Sequence, residues 1–589
     1  MARLKYNFTW KKYHRWFGLV LSVFMLVFCV SGIILNHREA FSGCEVSRKW
    51  LPASYHIKNF NNGVVKGTVV KNSGSLAISE GFSDSILVYG CAGVFLTDYQ
   101  LSTWQDFNAG LPKSIDERNV RHLVQARDGS LWCAALRDVY RYDENAQQWK
   151  KVELPGNEER IMDVALGKNS IQVVALTRSR IFEITPIASN IDVSESPSSL
   201  ASSAKGGVSE KSPDIFEKKS GGFSKKVGTF LGKYRVEAKI IPAPKNYEPK
   251  TTLFKLVWHL HSGEFFGLPG KLVVDAIALV LIVLSITGII RFILPYGIRR
   301  AKKVKSEERR VKNSLAAKNR MKRLGKLFAW NMKWHNKIGY VTIVLTLWIA
   351  ITGMCLRPPL MVPLVLSKLP QAVGEDGNVW QDKLRAIRWD AVQGDWLVST
   401  SEGFLRVDED FSQAPKMLPD DECPKLSPMG VTVWESDGKG GWIVGSFRGI
   451  YRWNPVNHKS QILDYFTNEP CVETSMIPIS DNLICGYSED LFDREPMVFD
   501  FAKGVEDAKG QVINILDEKD VMSDLICETA PMSLWNVALE LHVGRCYSPF
   551  LGPLSDLFVF LSGLLITLVL LSGYIISHRR RKKAQARLK

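Results

Sequence analysis

The 589-residue sequence predicts an α-helical membrane protein, with four transmembrane helices in a tandem two-plus-two repeat and exported all-β, propeller-blade-like domains. Three observations predict it. Four apolar runs, 17–36, 272–294, 338–356 and 557–577, each come close to the ~20 residues that a helix needs to cross a bilayer. Basic residues crowd the flanks of those runs. The long intervals between them alternate in short stretches closed by turn signals, the period of strands.

In chain order, residues 1–16 form a basic N-terminus and 17–36 the first membrane helix. A β segment over 37–252 follows, then a histidine-bearing juxtamembrane segment, 253–271, and the second helix, 272–294. A basic link, 295–337, leads to the third helix, 338–356. The second β segment, 357–534, its juxtamembrane segment, 535–556, the fourth helix, 557–577, and a basic tail, 578–589, complete the chain. The first run is long for a signal peptide and no small-x-small site follows it in "SGIILNHREAF", so it reads as an uncleaved anchor.

The formal net charge is +16. Residues 1–16 hold five Lys/Arg, 291–337 hold sixteen against two acids, and 578–589 hold seven, so the rest of the chain is net acidic. A nucleic-acid binder would carry its basic charge on a folded face, so nucleic acid is not expected as a partner. By the positive-inside rule both termini and the 295–337 link are cytoplasmic, and the two β segments are exported from the inner membrane of a bacterium. Eight of the ten cysteines fall in exported segments, which permits disulfides without fixing their pairing. No C-x-x-C-H occurs, which excludes covalent c-type haem.

Within the β segments, "DGSLWCAALRDVYRYDENAQQWKKV" (128–152), "GDWLVSTSEGFLRVDED" (394–410) and "GGWIVGSFRGIYRWNPVNHKSQILDYF" (440–466) each run strand, turn, strand, turn, strand. Weaker copies begin near Ser85, Ile161 and Leu483, about three per half, and resemble the blades of periplasmic sensor propellers. Residues 186–222 are Ser/Lys-rich with few large apolar residues, and read as a disordered insert.

The repeat is visible in the chemistry-bearing residues. "KKYHRWFGLV" lies over "MKWHNKIGYV" at an offset of 321, so His14 falls on His335, Gly18 on Gly339, and Ser31-Gly32 on Thr352-Gly353. "LHSGEFFGLPGKLVVD" lies over "LHVGRCYSPFLGPLSD" at an offset of 281, so His261 falls on His542 and Asp275 on Asp556. All four apolar runs carry a Ser/Thr-Gly pair near their far ends: Ser31-Gly32, Thr287-Gly288, Thr352-Gly353 and Ser572-Gly573. Small residues let membrane helices pack closely.

Neutral imidazole is a common iron ligand. A pseudo-twofold axis would set His14 against His335 near the cytoplasmic face and His261 against His542 near the outer face. That predicts two bis-histidine b-type haems. Gly18, Gly288, Gly339 and Gly573 lie at the depth of the first pair, and Gly32 and Gly353 at the depth of the second, giving a flat macrocycle surfaces without side chains. Each histidine taken singly also reads as an ordinary interfacial residue. Asp275 and Asp556 read as acids in the first turn of a helix in preference to acceptors for the histidines. His37, His259 and His578 lack matched partners.

"HRWFGLVLSVFMLVFCVSGI" and "LHSGEFFGLPG" resemble the helix motifs of the PepSY-associated transmembrane helix family. The second repeat departs from that pattern at Asn336-Lys337 and in the glycines after Gly544. The resemblance covers about a quarter of the chain. It implies an inner-membrane, ferric-siderophore-reductase-like protein with b-type haem at His14, His261, His335 and His542.

Two functions compete. One is an electron conduit, in which electrons from an external donor (quinol or a cytoplasmic reductase) pass two haems to a ferric-siderophore complex. No G-x-G-x-x-G follows a strand, so no nicotinamide or flavin site is expected in this chain. The other is a membrane-anchored sensor or assembly protein whose blades bind a ligand and whose helices only anchor. A transporter fits less well, because the four runs bury few ionisable groups.

Overall fold

The computed structural model describes residues 2–71, 85–186, 228–231, 234–308, 315–371, 377–427, 429–456, 462–471, 482–513 and 530–587. The chain separates into two compact units, one of residues 1–56, 248–372 and 531–589, the other of 57–247 and 373–530.

The first unit is helical. Its main elements are α1 (Ala2–Asn36), α2 (Leu253–Ser262), α3 (Gly267–Glu308), α4 (Leu315–Val341), α5 (Ile343–Cys355), α6 (Leu534–His542) and α7 (Ser555–Gln585). α2 and α6 start at equivalent hydroxyl caps: Thr252 Oγ1 accepts from Lys255 N at 3.2 Å, and Ser533 Oγ from Asn536 N at 3.2 Å. Each cap satisfies an amide that the first turn leaves without a partner. Two short ladders tie one repeat to the other, Glu45–Val46 on Met532–Ser533 and Lys250–Thr252 on Lys368–Pro370.

The helices have the polarity of a membrane bundle. Val20, Val23, Leu279, Val344, Leu561 and Leu568 face outward, while Ser22, Ser31, Thr287, Thr346, Ser562 and Ser572 are buried. Without water outside, small residues and hydroxyls make the helix contacts and long apolar chains meet lipid. α1 packs against α3 and α7, and α4 against α3 and α7. An apolar layer of Cys29, Ile277, Ala278 and Leu281 fills the middle.

Among the described residues, three uninterrupted helical stretches are long and apolar enough to cross a membrane: Lys11–Asn36, Glu264–Arg299 and Arg545–Gln585. The expected third helix, 338–356, is not a single rod. It bends by 68° between Val341 and Ile343, so a fourth span exists only if α4 and α5 are counted as one. α5 alone has 13 residues, or ~20 Å, against a hydrocarbon core of ~30 Å. The bend falls in the β-branched run Val341–Val344, and Thr342, at the break, and Thr346, one turn on, turn their hydroxyls back onto the carbonyls of Ile338 and Thr342.

The second unit is all β. Among the described residues, six antiparallel sheets each order their strands much as the chain does, with strands drawn from 67–106, 122–152, 161–239, 384–417, 433–464 and 484–506. Three come from each half of the chain. Each consecutive pair encloses its own apolar cluster, such as Leu87 and Tyr89 on Leu123, Val174 and Ile181 on Ile387 and Trp396, and Phe404 on Trp434 and Trp453. A further cluster joins the sixth sheet to the first, with Cys485 and Phe499 against Val64 and Val88. Buried Trp132, Trp380, Trp396, Trp434 and Trp453 supply much of this core. The predicted insert, 186–222, lies outside the described residues apart from Pro186.

One ionic cluster is embedded in this unit. Asp163 Oδ2 takes hydrogen bonds from Arg388 Nη1 (2.6 Å) and Ile387 N (3.0 Å), while its Oδ1 accepts from Val164 N (2.9 Å) and lies 3.1 Å from His122 Nδ1. Burial pushes the Asp163 carboxyl up, but Arg388 and His122 outweigh it and hold the group below the usual carboxylate range.

Candidate functional site

The four matched histidines come together as two pairs in the helical unit. The ring centres of His14 and His335 are 6.4 Å apart, and those of His261 and His542 are 6.1 Å apart. Each pair takes one ring from each repeat.

The Ser/Thr-Gly pairs explain how the rings are held. Ser572 Oγ lies 2.9 Å from His14 Nδ1, Thr287 Oγ1 2.8 Å from His335 Nδ1, Thr352 Oγ1 3.0 Å from His261 Nδ1, and Ser31 Oγ 2.9 Å from His542 Nδ1. Every histidine is held by a hydroxyl of the opposite repeat. The same Nδ1 atoms meet a carbonyl one turn before the hydroxyl: Val569 O at 3.0 Å for His14, and Phe28 O at 3.1 Å for His542. For His335 and His261 the hydroxyls themselves point the same way: Thr287 and Thr352 Oγ1 give their protons to Val283 O and Trp348 O, which leaves each oxygen to accept from Nδ1. A carbonyl only accepts, so Nδ1 carries the proton and the ring's lone pair lies on Nε2. A ligating histidine is oriented in this manner, with one nitrogen donating to the protein and the other left for the metal.

The glycines next to the hydroxyls make room for the rings. A Cβ on Gly353 would sit 2.8 Å from His261 Cε1, on Gly573 2.9 Å from His14 Cε1, on Gly32 3.3 Å from His542 Cε1, and on Gly288 3.7 Å from His335 Cε1. The sequence reading gave these glycines to a macrocycle; their nearest neighbours are the imidazoles themselves. Gly18 and Gly339 line, with Gly288 and Gly573, a cavity around His14 and His335.

The glycine of each L-H-x-G motif turns the chain from the histidine helix into the next span. Gly263 and Gly544 both adopt left-handed backbone, φ 78° and 86°. A side chain on Gly263 would also run into the carbonyl of Gly270. Only glycine takes that conformation at little cost, and it follows a helix end directly.

The two aspartates differ: Asp556 stands where the first-turn reading puts it, and Asp275 does not. Asp275 is the ninth residue of α3, beyond its first turn, and pairs with His37 Nε2 at 2.6 Å and Asn36 Nδ2 at 3.2 Å. It does not orient His261. Asp556 does stand in the first turn of α7, and Arg357 reaches it at 3.5 Å. His578 stacks on Tyr340 and Tyr574, and His259 lies edge-on to Trp258, so neither joins a pair.

The spacing suits a shared iron. Two imidazole nitrogens each about 2 Å from one metal place the ring centres roughly 6 Å apart. Along α1, His14 and Ser31 are 17 residues apart, so the two pairs are separated by about 25 Å of helix. Among the described residues no cluster of three or more His, Cys, Asp or Glu forms a metal site. The donor sets present are two imidazoles each, the number that fills both axial positions of a haem iron.

The PepSY-associated TM region family matches the chain twice, over residues 4–294 and 301–581. No curated protein matches it. Among solved structures, the extracellular domain described as that of a one-component system of B. thetaiotaomicron is similar at 10% identity, with a TM-score of 0.30 over 76% of this chain and 39% of that one. The extracellular domain of a hybrid two-component system from the same organism aligns at 8% identity, with a TM-score of 0.17 over 73% and 43%. The yeast Nup82–Nup159–Nup116 nucleoporin complex aligns at 10% identity, with a TM-score of 0.20 over 75% and 94%. The chain thus spans about two fifths of the length of the two B. thetaiotaomicron structures.

Proposed function

The chain belongs to the PepSY-associated TM region family, and from that premise we propose that it is an inner-membrane electron-transfer protein holding two b-type haems. His14 and His335 would hold one haem near the cytoplasmic face, and His261 and His542 the other near the outer face. Bound there, the haems would supply one-electron chemistry, carrying electrons from quinol or a cytoplasmic reductase to a ferric complex, siderophore-iron being the acceptor class proposed. The observation that carries this reading is the pairing of the rings at 6.4 and 6.1 Å with every Nδ1 tied to a hydroxyl. The protein's part is to fix the tautomer, leave Nε2 open, and exclude water with the apolar layer between the pairs.

The test is a reduced-minus-oxidised absorption spectrum of the detergent-purified chain, beside His14→Ala and His261→Ala. Two b-type haems per chain, with about one lost in each variant, is the expected result. A colourless protein from haem-replete cells would sink the proposal.

A second reading is favoured by the β unit. Six sheets with an apolar cluster in every successive gap, and one more between last and first, support a six-bladed propeller. On that reading the blades bind a ligand, the helices anchor them, and the protein is a sensor or assembly factor without haem. The same spectrum separates the two.

A further inference from the structure

The cavity around His14 and His335 is symmetric in its histidines and glycines but not in its charge. Arg15 and Arg291 line it, both from the first repeat. Their counterparts in the second repeat, placed by the offsets that match His14 to His335 and Thr287-Gly288 to Ser572-Gly573, are Asn336 and Ile576. Those two residues line the same cavity. One side therefore carries two guanidiniums, and the side related to it by the pseudo-twofold axis is neutral.

Neither guanidinium has a carboxylate partner among the described residues. The Arg15 guanidinium lies over the Phe292 ring at 5.0 Å, and its Nε is buried without a hydrogen-bond partner. The charges acting on Arg291 are Arg15 and Arg580, both of its own sign. Arg291 is also close enough to act on both His14 and His335. Like charges gathered in a partly buried cavity are costly unless an anion joins them, and a planar guanidinium pairs best with a carboxylate. At the other end of the helical unit, by contrast, Arg357 has Asp556 and Arg545 has Glu540.

A b-type haem has the same asymmetry, with both carboxylates on one edge and only apolar substituents on the other. We propose that Arg15 and Arg291 bind the dicarboxylate edge of the haem held by His14 and His335, with the opposite edge towards Asn336 and Ile576. The two arginines thus choose one of the two orientations that the histidine pair alone would accept. This rests on the haem reading above.

The test uses the full chain with His261→Ala, purified from haem-limited cells and titrated with haemin and with haemin dimethyl ester, whose carboxylates are capped. Charge-assisted pairs of this kind predict that haemin binds at least about tenfold tighter than the diester. Adding Arg15→Gln and Arg291→Gln should bring the two affinities together, and Arg15→Lys with Arg291→Lys should restore part of the preference. Equal binding of both compounds by the parent overturns the proposal while leaving the haem reading intact. Binding of neither overturns both. A preference that survives the glutamine pair, with loss of co-purified anionic phospholipid instead, assigns the guanidiniums to lipid phosphate and also overturns it.

Discussion

Ser31 Oγ lies 2.9 Å from Nδ1 of His542, though the two are 511 positions apart and belong to opposite repeats. The bond supports the ring orientation in which Nδ1 also donates to the Phe28 carbonyl, 3.1 Å away, and Nε2 is free. Ser31→Ala should therefore weaken haem binding at the His261–His542 site by about 10–100-fold, the usual cost of removing a metal ligand's supporting partner. Haemin titration, with Ser572→Ala as the matched change at His14, measures it. Equal loss at both sites from either variant would count against the assignment.

The four ring-backing glycines form a graded series. Gly353→Ala and Gly573→Ala place a methyl 2.8 and 2.9 Å from a ring carbon and should each displace one histidine, costing one haem per chain. Gly288→Ala, with 3.7 Å available, should keep both haems. Haem stoichiometry of the three variants decides it.

His37 and Asp275 bond to each other and not to a paired histidine. Asp275→Asn and His37→Ala are expected to leave both haems bound and both absorption bands unmoved. A lost or shifted band in Asp275→Asn would return that aspartate to the support of His261.

Acid stability should track Asp163. A carboxyl held below its ordinary value in the folded chain adds stability at pH above the unfolded value near 4, and that stability is lost as pH falls through the folded value. Asp163→Asn should flatten the acid side of a melting-temperature profile of the full chain. Arg388→Met strands a buried carboxylate and should cost about 3–5 kcal/mol at neutral pH.

The sequence carried the site further than the fold. Repeating His14 at His335 and His261 at His542 sufficed to propose the pairs, because a pseudo-twofold repeat brings equivalent positions together whatever the intervening loops do. The Ser/Thr-Gly pairs were visible too, but their role was not, since a hydroxyl that holds a ring and one that eases helix packing look alike in one dimension. Arg15 and Arg291 were hidden among basic flanks that the positive-inside rule already accounted for. The bend at Thr342 was missed because a hydropathy window sums over residues and does not register a change in the direction of the helix axis. Alternation located the sheets, whereas the cluster joining the sixth to the first gathers Val64 and Val88 with Cys485 and Phe499, residues about 400 positions apart that no local pattern links.

Every ring of one repeat is held by a hydroxyl of the other, and each pair needs a ring from both. A single repeat therefore already contains one ring and one hydroxyl of each kind. Two identical copies of it, facing each other across a twofold axis, would present the same four rings and four hydroxyls. The tandem chain has the architecture of a fused homodimer. Joining the copies freed them to diverge, and the guanidinium side of one cavity is what a strictly twofold ancestor could not have confined to one edge.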